Sequence, residues 1–381
     1  MRTTALPAQS SALSPQPCFR PVWADVDLGA FRRNVRLFRS KLSPGTRLLF
    51  VCKANGYGHG AVETARAAAV EGAAWLGVTS VEEGAALRAA GLRLPILVLG
   101  SLYPFESLEA AARLHLTPTI ASADAARALI QLGLRLKRPL ACHVKVETGM
   151  GRIGVRPTEA LKVLGLLADA PRAVRLEGLY THLASADDDA RFTRLQLRRF
   201  QEVADAAASR GLHIPLKHAA NSMAALRYPE SHFDMVRAGL ALYGLCPGFE
   251  PVMSLKAKVV FLKRVPAGTP VSYGGTFRTR RDSRIATLPL GYADGVSRRL
   301  SNRGEVLIRG RRCRIVGAVT MDMLMADVTA LREVHVGDEA VVFGRQDKAE
   351  LSAAAVARKL GTIPYEVACA VSARVPRRCH G

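Results

Sequence analysis

Leu48-Leu49-Phe50-Val51-Cys52-Lys53-Ala54-Asn55-Gly56-Tyr57-Gly58-His59-Gly60-Ala61 is the stretch on which the fold turns. Its leading residues, Leu48 to Cys52, are apolar without alternation, the pattern of a strand buried on both faces in a parallel sheet. Gly56, Gly58 and Gly60 then break the run, and a helical pattern opens at Ala61. Strand, glycine turn and helix together make a βα unit. Lys53 ends the strand, and in a βα barrel that places its amine at the mouth where catalytic groups collect. An amine at the end of an apolar strand is partly desolvated, which lowers its pKa and makes it a competent nucleophile toward a carbonyl. Taken alone, such a lysine is more readily read as a side chain snorkelling to water.

The same alternation continues on both sides. From about residue 22 to 240, short apolar runs read as strands at Val22–Val26, Leu48–Cys52, Trp75–Thr79, Ile96–Leu99, Thr117–Ile120, Cys142–Val146, Leu176–Thr181, Leu216–His218 and Phe233–Val236. Helical patterns such as Val81–Ala90, Ala123–Leu132 and Phe192–Arg210 lie between them, which implies parallel units with right-handed crossovers. About nine candidates over this length suit an eight-stranded (β/α)8 barrel of the TIM type with one spare strand. The pattern leaves a doubly wound sheet as a rival. After Gly244 the texture changes: Leu255–Val265, Ser283–Leu290, Glu305–Ile308, Cys313–Val319, Met323–Val328 and Glu339–Phe343 read as strands, and only Ser352–Leu360 reads as helix. The expected organisation is a loose extension over residues 1–20, a barrel over 21–246 and a mainly-β domain over 247–381. Val22–Val26 is the spare strand, a candidate partner for the second domain.

Composition narrows the class. Hydrophobic residues make up 49% of the 381 and charged residues 23%, ordinary for a soluble globular chain. No apolar run approaches the ~18 residues that cross a bilayer, and the N-terminus has no signal-peptide core. The first twenty residues contain Arg2 and Arg20 and no acid, so an organelle leader is the alternative to a plain extension. A net charge of +22 invites a nucleic-acid reading. The densest basic groups, Arg278–Arg284 and Arg309–Arg314, lack interleaved aromatics, so a solvated arginine-rich surface is the expectation. Seven dispersed cysteines without a C-x-x-C pair suit reduced thiols in a cytoplasm and offer no metal framework.

The run Val51-Cys-Lys53-Ala-Asn-Gly-Tyr57-Gly-His-Gly60 strongly resembles the pyridoxal-phosphate attachment motif of the alanine racemase family. The resemblance recurs in order through Glu147-Thr-Gly-Met-Gly-Arg152, Thr181-His182, His218-Ala-Ala-Asn221-Ser222, Val236-Arg237-Ala-Gly-Leu-Ala-Leu-Tyr-Gly244, Val271-Ser-Tyr273-Gly, Leu290-Gly-Tyr292-Ala-Asp-Gly295, Met321-Asp322 and Pro364-Tyr365-Glu366-Val367. It implies interconversion of L- and D-alanine for peptidoglycan, in a cytoplasmic homodimer whose active site is shared between subunits. Racemisation removes an α-proton from one face and returns one to the other, with the cofactor as electron sink. By the resemblance, Lys53 is the base on one face and Tyr273, from the partner subunit, the base on the other, with His182 hydrogen-bonding that tyrosine. Arg237 would face the cofactor's ring nitrogen, buttressed by His218. A guanidinium can only donate, so that nitrogen would stay unprotonated and side reactions such as transamination would be limited.

Phosphate binding falls by the same resemblance to Tyr57, Ser222, Tyr365 and the backbone amides of Gly239 and Leu240, with Asn221 in support. Arg152 would meet the cofactor's phenolic oxygen and the substrate carboxylate. Lys145 matches a lysine that many members carbamylate, and an unmodified inner-strand lysine is an equal reading. Met321 would offer its backbone amide to the substrate carboxylate from the partner subunit, beside Asp322, and Tyr292 would line the access path. One departure stands out: where members often carry arginine two residues after a Val-Gly step, this chain has Ala318 in Val316-Gly-Ala-Val-Thr-Met321-Asp322. Its loss alters the expected pairing of Asp187 and Arg298 in the corridor. A racemase of broader amino-acid specificity is therefore the first alternative. A non-catalytic pyridoxal-phosphate carrier is the alternative of another class, and the β-rich second domain speaks against it.

Overall fold

The computed structural model describes residues 19–381, so residues 1–18 of the expected extension lie outside the described residues. Strand β1 (Val22–Asp27) is followed by eight strands of one sheet: β2 (Arg47–Val51), β3 (Trp75–Val78), β4 (Ile96–Ser101), β5 (Leu116–Ile120), β6 (Leu140–Lys145), β7 (Val174–Tyr180), β8 (Leu216–His218) and β9 (Met235–Ala238). They run in parallel and in order, and β2 pairs with both β3 and β9. Pairing of first strand with last curls the sheet into a barrel and removes the doubly wound rival. Between β8 and β9, backbone N–H groups of Asp234 and Arg237 donate to the carbonyls of Lys217 and Ala220, each at 3.0 Å.

Each turn of the barrel is set by local chemistry. Ser80, Ser122 and Asp189 accept hydrogen bonds from Glu83, Ala125 and Phe192 N–H groups and so start the helices Val81–Ala89, Ala123–Leu136 and Ala190–Ser209. The helices bury alanine and leucine against the outer barrel wall, where the main core gathers. Inside the barrel a smaller cluster of Leu49, Val51, Trp75, Leu97, Leu216 and Met235 fills the lumen.

The spare strand β1 joins the second domain. It pairs antiparallel with β10 (Met253–Lys258) and parallel with Arg377–His380. A separate core centred on Leu255, Leu288, Val306, Val341 and Phe343 packs behind that sheet. Two expectations are corrected here. The single strand expected over Leu255–Val265 is two, because the chain leaves one sheet after Lys258 and enters another at Phe261–Val265. Both pieces border buried cores, so their apolar residues form one run in sequence. A second helix, Pro364–Cys369, follows Ala353–Leu360; six residues are too few to display a helical period.

Two polar clamps fix the second domain against the barrel mouth. Buried Asn34 donates to the carbonyls of Leu242 and Glu250 and accepts from Glu250 N–H, pinning the chain where it leaves the barrel. Arg377 donates to Ser372, Val375 and Val371 carbonyls and, through Nε at 2.9 Å, to the carbonyl of Gly58 in the lysine-bearing turn.

Candidate active site at the barrel mouth

Lys53 leaves the end of β2 into a left-handed turn. Ala54, Asn55, Gly56 and Tyr57 take φ of 51°, 51°, 63° and 51° in succession. An L-residue held there costs ~1–2 kcal/mol, so three non-glycine residues among these four need external restraint. Glu83 supplies it: one carboxylate oxygen accepts from Ala54 N–H and the other from Thr79 N–H, both at 2.7 Å. Asn55 closes the turn by accepting from Ala61 N–H at 3.0 Å. Gly58 must lack a side chain, since a Cβ would come within 2.3 Å of the Ala368 carbonyl oxygen. The outcome is a rigidly aimed lysine. Burial, then the Arg152 charge, lowers its pKa, with Glu83 and Cys369 opposing.

The amine opens onto a cavity of about 530 Å³ lined by residues from nearly every barrel strand. Lys53, Tyr57, Lys145, Arg152, His182, Asn221, Ser222, Arg237, Gly239, Leu240 and Tyr365 all contribute to its wall. At one side, Ser222 Oγ accepts from Gly239 N–H at 3.0 Å and Ala241 N–H at 3.4 Å. Tyr57 packs on Gly239, where a Cβ would stand 3.0 Å from the phenol oxygen, and its ring lies 6.1 Å from that of Tyr365. Asn221 caps the helix that carries Ser222 by accepting from Ala224 N–H at 2.9 Å. This cup of hydroxyls and small-residue amides suits a dianion.

Arg237 occupies another part of the wall. It donates to the carbonyls of Thr181 and Ala219 at 2.8 Å and to His218 Nδ1 at 2.9 Å, with His182 Nδ1 at 3.3 Å. No carboxylate is among these partners, and burial lowers its pKa to about 10, which leaves it charged. Tyr180, not anticipated from sequence, lies beneath: its ring stacks on His218 at 4.6 Å and the guanidinium sits 5.2 Å above it. Its hydroxyl is held by Thr119 at 2.8 Å. Only its place at a strand end signalled it.

Lys145 lies buried at the end of β6, 5.6 Å over the Tyr180 ring. Burial, Arg152, Arg237 and Lys53 push it down to about 7, against Glu147. Arg152 rides a loop tied by Glu147, whose carboxylate accepts from Gly149 N–H at 2.6 Å and Arg152 N–H at 3.2 Å. Burial opposes that charge, yet the surrounding N–H groups hold the Glu147 carboxyl below its ordinary range. Asp187, expected in the access corridor, also lines the wall, as does Cys369, which was not assigned a role from sequence.

Four expected residues are absent from this cavity in the single chain. Tyr273, Met321 and Tyr292 are 74%, 52% and 44% exposed on the second domain, and Asp322 is exposed beside them. They form one neighbourhood: Tyr292 N–H donates to Thr320 O and Ala293 N–H to Met321 O, while Ser272 Oγ donates to Ala318 O. Asp322 pairs with Arg374 at 2.6 Å. Ala318, in place of the expected arginine, is buried, and no ion pair joins Asp187 to Arg298 among the described residues. No group of three or more His, Cys, Asp or Glu side chains able to hold a metal occurs among the described residues. Nor is any described helix long and apolar enough to cross a membrane.

Comparison with known proteins covers both domains. The family model "Alanine racemase, N-terminal domain" matches residues 26–247, and "Alanine racemase, C-terminal domain" matches residues 252–379. The alanine racemase of Desulfovibrio desulfuricans is 47% identical over 367 residues, covering 94% of this chain and 98% of its own. That of Symbiobacterium thermophilum is also 47% identical, over 94% and 97%. Among solved structures, the Bacillus anthracis alanine racemase with bound L-Ala-P superposes with a TM-score of 0.90 at 37% identity, over 96% of each chain. The enzyme of D-cycloserine-producing Streptomyces lavendulae gives 0.89 at 36%, over 95% of this chain and 97% of that one. With barrel and second domain matched alike along nearly its whole length, this chain belongs to the alanine racemase family of enzymes.

Proposed function

We propose that the chain interconverts L- and D-alanine with pyridoxal phosphate in the barrel-mouth cavity, using Lys53 and the partner subunit's Tyr273 on opposite faces of the substrate. One observation carries this reading: a desolvated strand-end amine and a carboxylate-free buried arginine line the same cavity as a cup of hydroxyls and amides. The residues fit the cofactor. Tyr57, Ser222, Tyr365 and the amides at Gly239 and Leu240 would hold its phosphate, Lys53 its aldehyde carbon, Arg237 its ring nitrogen and Arg152 its phenolic oxygen. When bound, the cofactor supplies an electron sink for the α-carbon.

The remaining work belongs to the chain. Arg152, and the backbone N–H of Met321 from the partner, would hold the alanine carboxylate so that the α-hydrogen points at a base. Lys53, its ammonium form disfavoured by burial and Arg152, takes or returns the proton on one face. His182 is neutral, its pKa lowered well below the ordinary value by burial. Its Nδ1 is turned toward Arg237. Its Nε2–H is then left to donate to the Tyr273 phenolate, which exchanges the proton on the other face. Lys145, largely neutral above about pH 7, is competent to take up carbon dioxide, and the carbamate would set an anion near Arg152. Tyr292 narrows access, and Asp322 with Arg374 steadies the Met321 loop. A cytoplasmic homodimer supplying D-alanine for peptidoglycan is the setting this reading implies.

The test is chemical. Borohydride reduction followed by peptide mapping should find the cofactor on Lys53, and the protein should form D-alanine from L-alanine. Tyr273→Phe should keep the cofactor and lose ~10²–10⁴-fold in racemisation, as expected for removal of a general base. Full activity of that variant in both directions would sink the two-base scheme. Ala318 favours a second reading of broader specificity, which rates on serine, lysine and arginine against alanine decide.

A further inference from the structure

Behind Arg237 lies a line of buried groups whose proton positions can be read from heavy atoms alone. Arg237 presents a guanidinium nitrogen 2.9 Å from His218 Nδ1. A guanidinium has no acceptor, so Nδ1 must be the lone-pair nitrogen and the ring proton must sit on Nε2. That Nε2 is 2.9 Å from His143 Nδ1. His218 therefore donates, His143 Nδ1 accepts, and the His143 proton lies on Nε2. No other arrangement works. A proton on His143 Nδ1 would leave His218 without one on either nitrogen, and a doubly protonated His218 would aim a donor at Arg237.

We infer that His143 is a positioning residue for Arg237, holding His218 in the tautomer whose lone pair faces the guanidinium. The barrel bears a cost for it. The His143 Nε2 is buried without a hydrogen-bond partner among the described residues, an arrangement that costs ~1–3 kcal/mol. The ring packs on Trp75, a member of the apolar lumen cluster with Leu49, Val51, Leu97, Leu216 and Met235, and an apolar side chain there would carry no such cost.

The backbone is also shaped for this ring. The β6–β7 register slips between Cys142 and His143, setting His143 opposite Gly178. A Cβ at Gly178 would stand 2.5 Å from His143 Nδ1 and 2.6 Å from Cε1. Trp75 and His218 flank the ring, each with centroid 5.1 Å away, and Tyr180 stacks on the face of His218. Burial and the Arg237 charge push His143 down to about 3 and keep His218 neutral. The line then runs one way, from Arg237 through His218 to His143. With Thr181 and Ala219 carbonyls taking the other terminal nitrogen, the guanidinium plane has no freedom to turn.

The inference rests on the reading that Arg237 faces the cofactor's ring nitrogen, and its test separates the two. Long-range ¹H–¹⁵N spectra of the full-length chain, labelled at its nine histidines, report each tautomer. His218 and His143 should both carry the proton on Nε2, unchanged across the neutral pH range. In His143→Phe, His218 loses its acceptor: its single-tautomer signature should be lost, the absorbance maximum of the bound cofactor should shift, and kcat should fall about tenfold. KM for alanine should move less than about twofold, because substrate contacts are untouched. His143→Gln, whose side-chain oxygen can accept the same N–H, should restore most of each readout. A wild-type His218 protonated on Nδ1, or on both nitrogens, overturns the inference even if His143→Phe fails to fold. So does a His143→Phe protein with the wild-type His218 signature. A disturbed His218 with an unmoved cofactor spectrum overturns the placement of Arg237 at the ring nitrogen and spares the tautomer line.

Discussion

Burial and the charges of Arg152, Arg237 and Lys53 push the Lys145 ammonium down to about 7, with Glu147 pulling the other way. In the unfolded chain lysine titrates near ~10.4. Between those values the unfolded chain holds a proton that the folded chain has released, so stability from this group rises with pH through that window. The slope is at most about 1.4 kcal/mol per pH unit, less where solvent reaches the amine. Urea unfolding of wild type and Lys145→Met at neutral and alkaline pH should therefore show wild type gaining on the variant as pH rises. Parallel curves would mean an ordinary lysine. A second residue-scale outcome concerns Ala54, held at φ 51°. Ala→Gly in a right-handed helix destabilises by about 1 kcal/mol. Here Ala54→Gly should be neutral or stabilising by up to about 1 kcal/mol, because the left-handed penalty is relieved. Denaturant midpoints decide. The reading of Lys53 as the chemical lysine came from the motif around it, since its place at a strand end alone reads more readily as a side chain reaching for water. That the turn after Lys53 is left-handed was not legible, since Ala54 and Tyr57 have no preference for that conformation, and Glu83, which holds Ala54 N–H, is distant in sequence.

At the scale of elements, the lysine-bearing turn is held from outside its own βα unit. Arg377, from the last strand, donates to the Gly58 carbonyl and to three carbonyls of its own loop. Arg377→Met would leave four part-buried carbonyls without this donor, and losses of this kind run to ~1–3 kcal/mol for each group left unsatisfied. The expected outcome is a lower melting temperature together with weaker cofactor retention on dialysis. A stability loss with unchanged retention would show that the clamp serves the second domain alone. The helix that carries Ser222 offers a milder case: Asn221→Ala removes its N-cap and should cost ~1 kcal/mol. The strands were legible as apolar runs and the helices as amphipathic patterns between them. The division of Leu255–Val265 between two sheets was not, because pairing partners, and not local pattern, decide where a buried strand ends.

The whole molecule leaves its expected second base outside its own cavity. Tyr273, Tyr292 and Met321 stand exposed on the second domain while Lys53 and Arg237 face the barrel mouth. If a second copy completes the site, Lys53→Ala and Tyr273→Phe chains should each be inactive alone. Refolded together in equal amounts, they should recover about one quarter of wild-type activity, because half of the dimers are mixed and each mixed dimer has one intact site of two. No recovery, with mixed dimers present by mass, would place both bases on one chain.

The amino-acid sequence by itself determined the βα alternation and the mainly-β second region, and its motifs pointed to Lys53 and distant partners, since buried strands, amphipathic helices and motif residues are written locally. Tertiary structure decided between the expected barrel and its doubly wound rival by pairing β2 with β9, and it seated β1, a candidate from sequence, in the second domain. It also set Tyr180 and His143 beneath Arg237. Those are contacts between residues far apart in the chain, and no local period or composition encodes which distant groups must share a buried hydrogen bond. At Lys53 the two meet: its identity came from its neighbours in sequence, its aim from Glu83 and Arg377, which only the fold brings to it.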